Sequence, residues 1–158
     1  MFVSIAKLLR EQGEPFELSG EIDMSGRELF GYSLSGAVAY DLVATPHPAM
    51  VQLLLGIHAR VEGECGRCLA PVSLEVDFED EFRARPEDLA DEFSELPFTQ
   101  DGRLDVAELV YQELLLEIPS VLLCREDCPG LCQQCGKLKL DCRCKTEPEG
   151  DPRLQVLR

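Results

Sequence analysis

The chain has 158 residues, of which 45% are hydrophobic and 28% charged, and its formal net charge is −15. This length and composition predict one folded domain with a small appendage, and they exclude a disordered chain or two large domains. No apolar run reaches the roughly 20 residues that cross a bilayer. The first residues also become polar too early for a secretory signal. We therefore expect a cytoplasmic protein without a membrane partner.

The charge is distributed unevenly along the chain. Residues 1–123 hold 24 acidic and 8 basic side chains, a net of −16, whereas residues 124–158 hold 6 acidic and 7 basic ones, a net of +1. Because proteins bind nucleic-acid phosphates through clustered Lys and Arg, this balance disfavours wrapping an RNA backbone and suits a basic protein partner. The same acidity is also compatible with a surface that only keeps the protein soluble.

Alternation of apolar and polar residues with period two predicts four strands, in the stretches 16–22, 38–42, 51–61 and 72–82. The third stretch, for example, places Leu55 on one face and His58 on the other. Strands with one buried and one solvated face are typical of an antiparallel sheet. The segment between the last two strands contains Cys65 and Cys68 and is interpreted as a hairpin tip.

One helix is predicted after the strands. Residues 84–103, rich in Asp, Glu and Pro, indicate a surface connection that can include a short helical piece. Asp105 followed by Glu108 resembles a capping box that opens a helix, and Pro119 ends it. Its apolar stripe consists of Val106, Leu109, Val110, Leu114 and Ile118. The predicted fold class is α+β: an antiparallel sheet with a packed helix and a small cysteine-rich C-terminal tail.

The chain changes character after residue 123. Six of the eight cysteines lie between 124 and 144, with too few apolar residues to build a core, so this segment needs something else to hold it together. We therefore predict an acidic α+β body over 1–123 and a cysteine-rich, zinc-binding tail over 124–158. Asp151 as an N-cap and Pro152 after it indicate a short terminal turn or helix.

The cysteines are the most informative feature of the sequence. In a chain without an export signal they are expected to be reduced thiols, which favours metal binding over disulfides. Close pairs of thiolates on tight turns are typical ligands of tetrahedral zinc. The predicted cofactor is one or two zinc ions, and the candidate ligands are Cys65, Cys68, Cys124, Cys128, Cys132, Cys135, Cys142 and Cys144.

Two ways of dividing these ligands are open. In the preferred one, the four cysteines from 132 to 144 close on one ion, because only six residues separate their two pairs. The remaining four, Cys65, Cys68, Cys124 and Cys128, then form a second site that ties the tail to the sheet. In the alternative, a single ion binds in the tail, and Cys65 and Cys68 are a free or redox-active pair.

No active site is predicted. His47, between two prolines in a turn, and His58, on a solvated strand face, are interpreted as surface residues rather than ligands. A catalytic zinc usually has His or carboxylate ligands and an open position for water. The sequence also lacks a Ser–His–Asp candidate, a Walker loop and a dinucleotide-binding motif.

Three motifs resemble the YceD family, the large ribosomal RNA subunit accumulation proteins of bacteria. They are the central CGRCLAPV (65–72), the tail CREDCPGLCQQCGKLKLDCRC (124–144) and the closing DPRL (151–154). The resemblance spans roughly residues 15–158 and implies a non-enzymatic factor needed for accumulation of 23S rRNA, and so for large-subunit biogenesis. The tail lacks the family's usual Pro before Cys135 and Leu-Asn after Gly136, and neither departure touches a candidate ligand.

Three functions are compatible with these features. In the first, the acidic body binds a basic ribosomal protein or the protein-coated surface of a large-subunit precursor. In the second, the tail contacts RNA directly through Arg125, Lys137, Lys139, Arg143 and Lys145. In the third, Cys65 and Cys68 form a redox pair, although such pairs normally open a helix in a βαβ unit.

Overall fold

A computed structural model describes residues 1–11, 13–27, 29–91 and 94–144. Lys145 and the predicted terminal helix lie outside the described residues. Within these ranges the elements are, in chain order, β1 (Phe2–Ser4), α1 (Ile5–Glu11), β2 (Phe16–Ile22), β3 (Ser33–Leu34), β4 (Val38–His47), β5 (Met50–Glu64), β6 (Pro71–Ala84), β7 (Arg103–Asp105) and α2 (Val106–Glu117). The α+β class predicted from the sequence is confirmed.

The main sheet is an antiparallel meander with the strand order β2-β4-β5-β6. β5 pairs with β6 along the whole length of β6, from Val51 opposite Ala84 to Glu64 opposite Pro71. β3 pairs with the far end of β5 and therefore lies on the same side of β5 as β4. The long β5–β6 hairpin carries its six-residue tip, residues 65–70, to one end of the sheet.

The core lies on one face of this sheet. The predicted period-two pattern holds in the central strands, where Leu42, Leu53, Leu55 and Ile57 are fully buried. Burying each such side chain contributes about 2 kcal/mol. The opposite face carries His58, as predicted, and is solvated.

Helix α2 covers the core with the predicted stripe, and Val106, Leu109, Val110, Leu114 and Ile118 are all buried. The Asp105 carboxylate caps the helix by accepting hydrogen bonds from the amides of Ala107 (3.1 Å) and Glu108 (3.4 Å). In a capping box the Glu108 side chain would accept a hydrogen bond from the Asp105 amide. Here both groups have other partners. Glu108 forms an ion pair with Arg27 at 2.8 Å, and the Asp105 amide donates to the carbonyl of Pro97. None of the described helices is long and apolar enough to span a bilayer.

Four short elements, β1, α1, β3 and β7, were not predicted from the sequence. β1 pairs with β7, where Val3 lies opposite Leu104, and Ile5 at the start of α1 is fully buried. These elements are too short for a hydrophobic period to mark them. In the predicted surface connection, Leu96 is buried in the core, and two residues later Phe98 forms a bridge to Leu104 of β7. His47 is the last residue of β4 rather than part of the turn that follows it.

A carboxylate on β6 interrupts the apolar side of that strand. Asp80 has the parity of Phe78 and Phe82 and is half-buried. The pKa of Glu113 on α2 is raised above its ordinary value of 4.5, first by burial and then by the charges of Asp80 and Glu95. Three carboxylates therefore lie close together between β6 and α2, and their mutual repulsion opposes folding when all are ionised.

We expect Glu113→Gln to stabilise the protein at neutral pH. A raised pKa means that the folded chain binds this proton more tightly than the unfolded chain. Stability therefore falls as pH rises from the unfolded pKa through the folded one, and it stays lower above that window. The gain in the variant should be present at pH 7 and absent near pH 4 in urea unfolding. The exposed Glu117→Gln is the control, and an equal gain for Glu113→Gln at both pH values would contradict the assignment.

Candidate metal centres

The eight cysteines lie in two clusters of four, and the sulfur atoms of each cluster are within 4.8 Å of one another. All eight are free thiols. Cluster 1 consists of Cys65, Cys68, Cys124 and Cys128, and cluster 2 consists of Cys132, Cys135, Cys142 and Cys144. The structure thus brings the cysteines together in the groups preferred from their spacing.

Cluster 1 joins two parts of the chain that are distant in sequence. The β5–β6 hairpin tip supplies one pair of cysteines, and the segment after α2 supplies the other. This segment already contacts the hairpin before it reaches the cluster, because the Gly66 amide donates to the Leu122 carbonyl at 2.8 Å. The Tyr32 hydroxyl also donates to the carbonyl of Ser120 and accepts from the amide of Leu122, both at 3.0 Å.

The two C-x2-C loops adopt the same turn. In each, the amide of the first cysteine, Cys65 or Cys132, donates to the carbonyl five residues later. The amide four residues later donates back to the carbonyl of that first cysteine, and all four distances fall between 2.7 and 2.9 Å. The amides two and three residues after the first cysteine face its sulfur and help to lower the pKa of that thiol. Both loops are therefore knuckles that aim backbone N–H groups at a thiolate.

The position four residues after the first cysteine adopts the left-handed backbone region in both loops. Gly136 occupies it in the second loop with φ of 69°, whereas Leu69 occupies it in the first with φ of 60°. A residue with a Cβ costs roughly 1–2 kcal/mol in this region, which glycine adopts readily. The Leu69 side chain is 59% exposed, so packing recovers little of that cost.

We expect Leu69→Gly to stabilise cluster 1 and Gly136→Ala to destabilise cluster 2. The expected size is about 1 kcal/mol in each direction, since glycine also loses more chain entropy on folding. Thermal unfolding and the chelator concentration that removes half of the bound metal would measure both effects. A loss of stability in Leu69→Gly comparable to that in Gly136→Ala would contradict this reading of the turn.

Arg67, inside the first knuckle, connects the two clusters. Its Nη1 donates to the carbonyls of Glu126 (3.1 Å) and Cys128 (3.0 Å). Its own carbonyl accepts from the Leu131 amide at 3.2 Å. Gly130 passes so close that a Cβ there would lie 3.0 Å from the same carbonyl oxygen. The side chain and the backbone of Arg67 therefore both hold the segment between the two clusters in place.

The local hydrogen bonds divide each cluster into thiols that ionise easily and thiols that do not. The pKa of Cys65 is lowered to about 6, chiefly by the backbone amide of Cys124. The pKa of Cys132 is likewise lowered to about 6, chiefly by the amide of Cys135. The pKa of Cys124 is raised to about 12, chiefly by its hydrogen bond to Cys128. Four thiolates at this spacing therefore need a cation among them.

The donor set and its spacing fit zinc. Zinc–sulfur bonds of about 2.3 Å at tetrahedral angles place neighbouring sulfur atoms about 3.8 Å apart. The Sγ atoms of Cys65 and Cys128 are 3.8 Å apart, those of Cys68 and Cys124 3.6 Å, and those of Cys135 and Cys142 3.5 Å. A set of four thiolates fills the coordination sphere, which is the pattern of structural sites.

The other residues singled out in the sequence lie away from the clusters or around them. His58 pairs with Asp77 on the sheet, with Nδ1 at 3.0 Å from the carboxylate. Arg125 lies 3.4 Å from Asp127. Lys137, Lys139 and Arg143 are exposed around cluster 2. The structural roles of Arg67 and Tyr32 were missed, since nothing in the spacing of either residue indicates a contact with the chain after α2.

Comparisons with known proteins identify the family of this chain. The family model of the large ribosomal RNA subunit accumulation protein YceD matches residues 54–158, which include both clusters. The uncharacterized proteins Rv2926c of Mycobacterium tuberculosis (strain ATCC 25618 / H37Rv) and Mb2951c of Mycobacterium bovis are each 34% identical over 143 residues, covering 86% of this chain and 69% of theirs. No solved structure matches the chain. The chain therefore belongs to the YceD family, described as large ribosomal RNA subunit accumulation proteins.

Proposed function

We propose that this protein is a non-enzymatic, cytoplasmic factor needed for 23S rRNA accumulation, and that it acts mainly by binding protein during assembly of the large ribosomal subunit. The observation that carries the proposal is the family match over residues 54–158, which contains both cysteine clusters. The family description supports a role in accumulation of large-subunit RNA. The mode of binding is inferred from the charges and the geometry of the chain.

Charge favours a protein partner over bare RNA. The acidic body, residues 1–123, has 24 acidic and 8 basic side chains. A Zn(Cys)4 site adds two further negative charges, because four thiolates exceed the charge of the ion by two. A surface of this sign repels phosphates and attracts basic proteins, many of which coat ribosomal RNA.

The proposed role of the metal is structural. Each cluster would hold one zinc ion with its four cysteines, and zinc would neutralise part of the charge of the thiolates. The division into a body over 1–123 and a zinc-binding tail over 124–158 is part of this proposal. Metal analysis with thiol counting, on protein purified without chelators, should give two zinc ions and no reactive thiol per chain. One ion with two reactive thiols would contradict the two-site proposal.

Direct RNA contact is the second candidate, because Lys137, Lys139 and Arg143 are all exposed around cluster 2. Replacing these three residues together with Glu should abolish binding to a large-subunit precursor if they contact RNA. Unchanged binding would exclude this candidate and leave the acidic body as the binding surface.

The function is tested by the ratio of 23S to 16S rRNA in cells that lack the gene. A selective fall in 23S rRNA, restored by the wild-type gene, is expected. Complementation with a Cys65→Ser variant should fail if the joined clusters are needed, while the exposed Glu117→Lys variant should restore the ratio as a control. An unchanged ratio in the deletion strain would contradict the proposed function.

A further inference from the structure

The sheet face that points away from the core, here called the outer face, has an unusual layout. Three adjacent rows cross it from β2 to β6, and their registers are known. The rows are Glu17–Val43–Leu54–Glu81, Ser19–Asp41–Gly56–Glu79 and Glu21–Ala39–His58–Asp77. The middle strands carry Ala39, Val43, Leu54 and Gly56 but also Asp41 and His58, and carboxylates predominate at both margins. With strands about 4.8 Å apart, the margins are separated by roughly 14 Å.

Val43 and Leu54 lie opposite each other on the middle strands and form a small apolar strip on the outer face. Leu54 is 40% exposed at its centre. Next to it Gly56 is buried under the Asp41 carboxylate, since a Cβ at Gly56 would lie 2.7 Å from a carboxylate oxygen of Asp41. No described element covers this strip.

The margins carry negative charge that is only partly compensated within the chain. His58 contacts Asp77 at 3.0 Å and Asp41 at 3.6 Å, and Arg83 contacts Glu81 at 3.3 Å. No ion pair joins Glu17, Glu21 or Glu79 to a cation among the described residues. An apolar centre with a charged rim is the layout of a protein interface, and here the rim is mainly acidic, with Arg83 as a cation on β6.

We propose that the outer face docks a lysine- or arginine-rich amphipathic segment of a partner protein. Apolar side chains of that segment would cover Val43 and Leu54, while its cations would reach the carboxylates of β2 and β6. A segment about 10–12 Å wide, such as a helix with its side chains, fits between the two margins. The inference rests on the proposed function, which it deepens by naming a surface and the chemistry of the partner.

Charge argues against the other occupants of this surface. A second copy of the chain would oppose carboxylates to carboxylates, and like charges across an interface cost several kcal/mol. RNA would bring phosphates to the same carboxylates. Only a cationic partner is attracted electrostatically to the carboxylates of both margins.

The test uses the full-length protein, purified without chelators, and a fluorescent peptide of leucine and lysine with one apolar face. Binding should weaken at least tenfold in Glu79→Lys/Glu81→Lys, because cations of the peptide then meet cations of the sheet. The matched control, Asp101→Lys/Glu117→Lys, has the same net charge change on exposed residues away from the outer face and should bind within twofold of wild type. Leu54→Asn should weaken binding by a smaller factor and reduce its resistance to salt.

Three results would overturn the inference. One is equal weakening in both charge-reversed variants, which would mean non-specific attraction. Another is a twelve-nucleotide RNA that binds wild type as tightly as the peptide. The third is a wild-type dimer in sedimentation that Glu79→Lys/Glu81→Lys dissociates. These outcomes are independent of the cellular 23S rRNA ratio, so loss of the docking surface and loss of the proposed function are distinguishable.

Discussion

Cys65→Ser is expected to destabilise the protein more than Cys135→Ser, although each removes one ligand from a four-cysteine cluster. Cluster 1 links residues 56 positions apart, Cys68 and Cys124, whereas cluster 2 links Cys135 and Cys142, seven positions apart. In the loop-closure model of cross-links, such ties contribute about 4 and about 2 kcal/mol respectively. Cluster 1 should therefore dominate the contribution of metal to stability.

The two variants should also differ in which part of the chain they loosen. Loss of cluster 1 releases the segment after α2 from the hairpin tip, so residues 124–144 should become sensitive to protease. Loss of cluster 2 should expose only residues 132–144. Zinc content, urea unfolding of the sheet and limited proteolysis would measure these effects. Wild-type protein treated with chelator should resemble Cys65→Ser, and equal destabilisation by the two variants would contradict the assigned roles.

The parts of the fold that follow long periodic patterns could be predicted from the sequence. The four strands and α2 each present a sustained alternation or stripe, and the Asp105 cap marks the beginning of the helix. β1, α1 and β7 could not be predicted, because each is short and owes its position to a tertiary contact. Val3 opposite Leu104 is such a contact, and it becomes visible only once both ends of the chain are brought together.

The candidate site was more predictable than the short elements, since cysteine spacing limits which sulfur atoms can reach one another. The hairpin position of Cys65 and Cys68 followed from the strand pattern on either side of them. The supports of the site were not predictable. Arg67 donates hydrogen bonds to carbonyls about sixty residues later in the chain. The Tyr32 hydroxyl forms hydrogen bonds with Ser120 and Leu122, which are still farther away in sequence. Nothing local in the sequence specifies either contact.

The ring of Tyr32 packs closely against the β5–β6 hairpin at Gly63. A Cβ at Gly63 would lie 2.5 Å from Cδ1 of the Tyr32 ring and 3.2 Å from Cδ1 of Leu122. The ring cannot easily move aside, because its hydroxyl hydrogen-bonds both Ser120 and Leu122. We therefore expect Gly63→Ala to destabilise the protein by about 2 kcal/mol, the usual cost of overpacking.

A double-mutant cycle separates this clash from the general effect of replacing glycine. Gly63→Ala should lower the free energy of unfolding much less in a Tyr32→Ala background, because the ring that obstructs the added Cβ is absent there. Gly26→Ala is the matched control, since a Cβ at that position meets nothing within 4 Å, and it should leave the free energy of unfolding almost unchanged. Gly63→Ala should also release metal from cluster 1 at a lower chelator concentration than wild type, because Ser120 and Leu122 lead directly into that cluster. If the effects of the two substitutions on the free energy of unfolding were additive, the contact between Tyr32 and this part of the hairpin would not be the cause of the destabilisation.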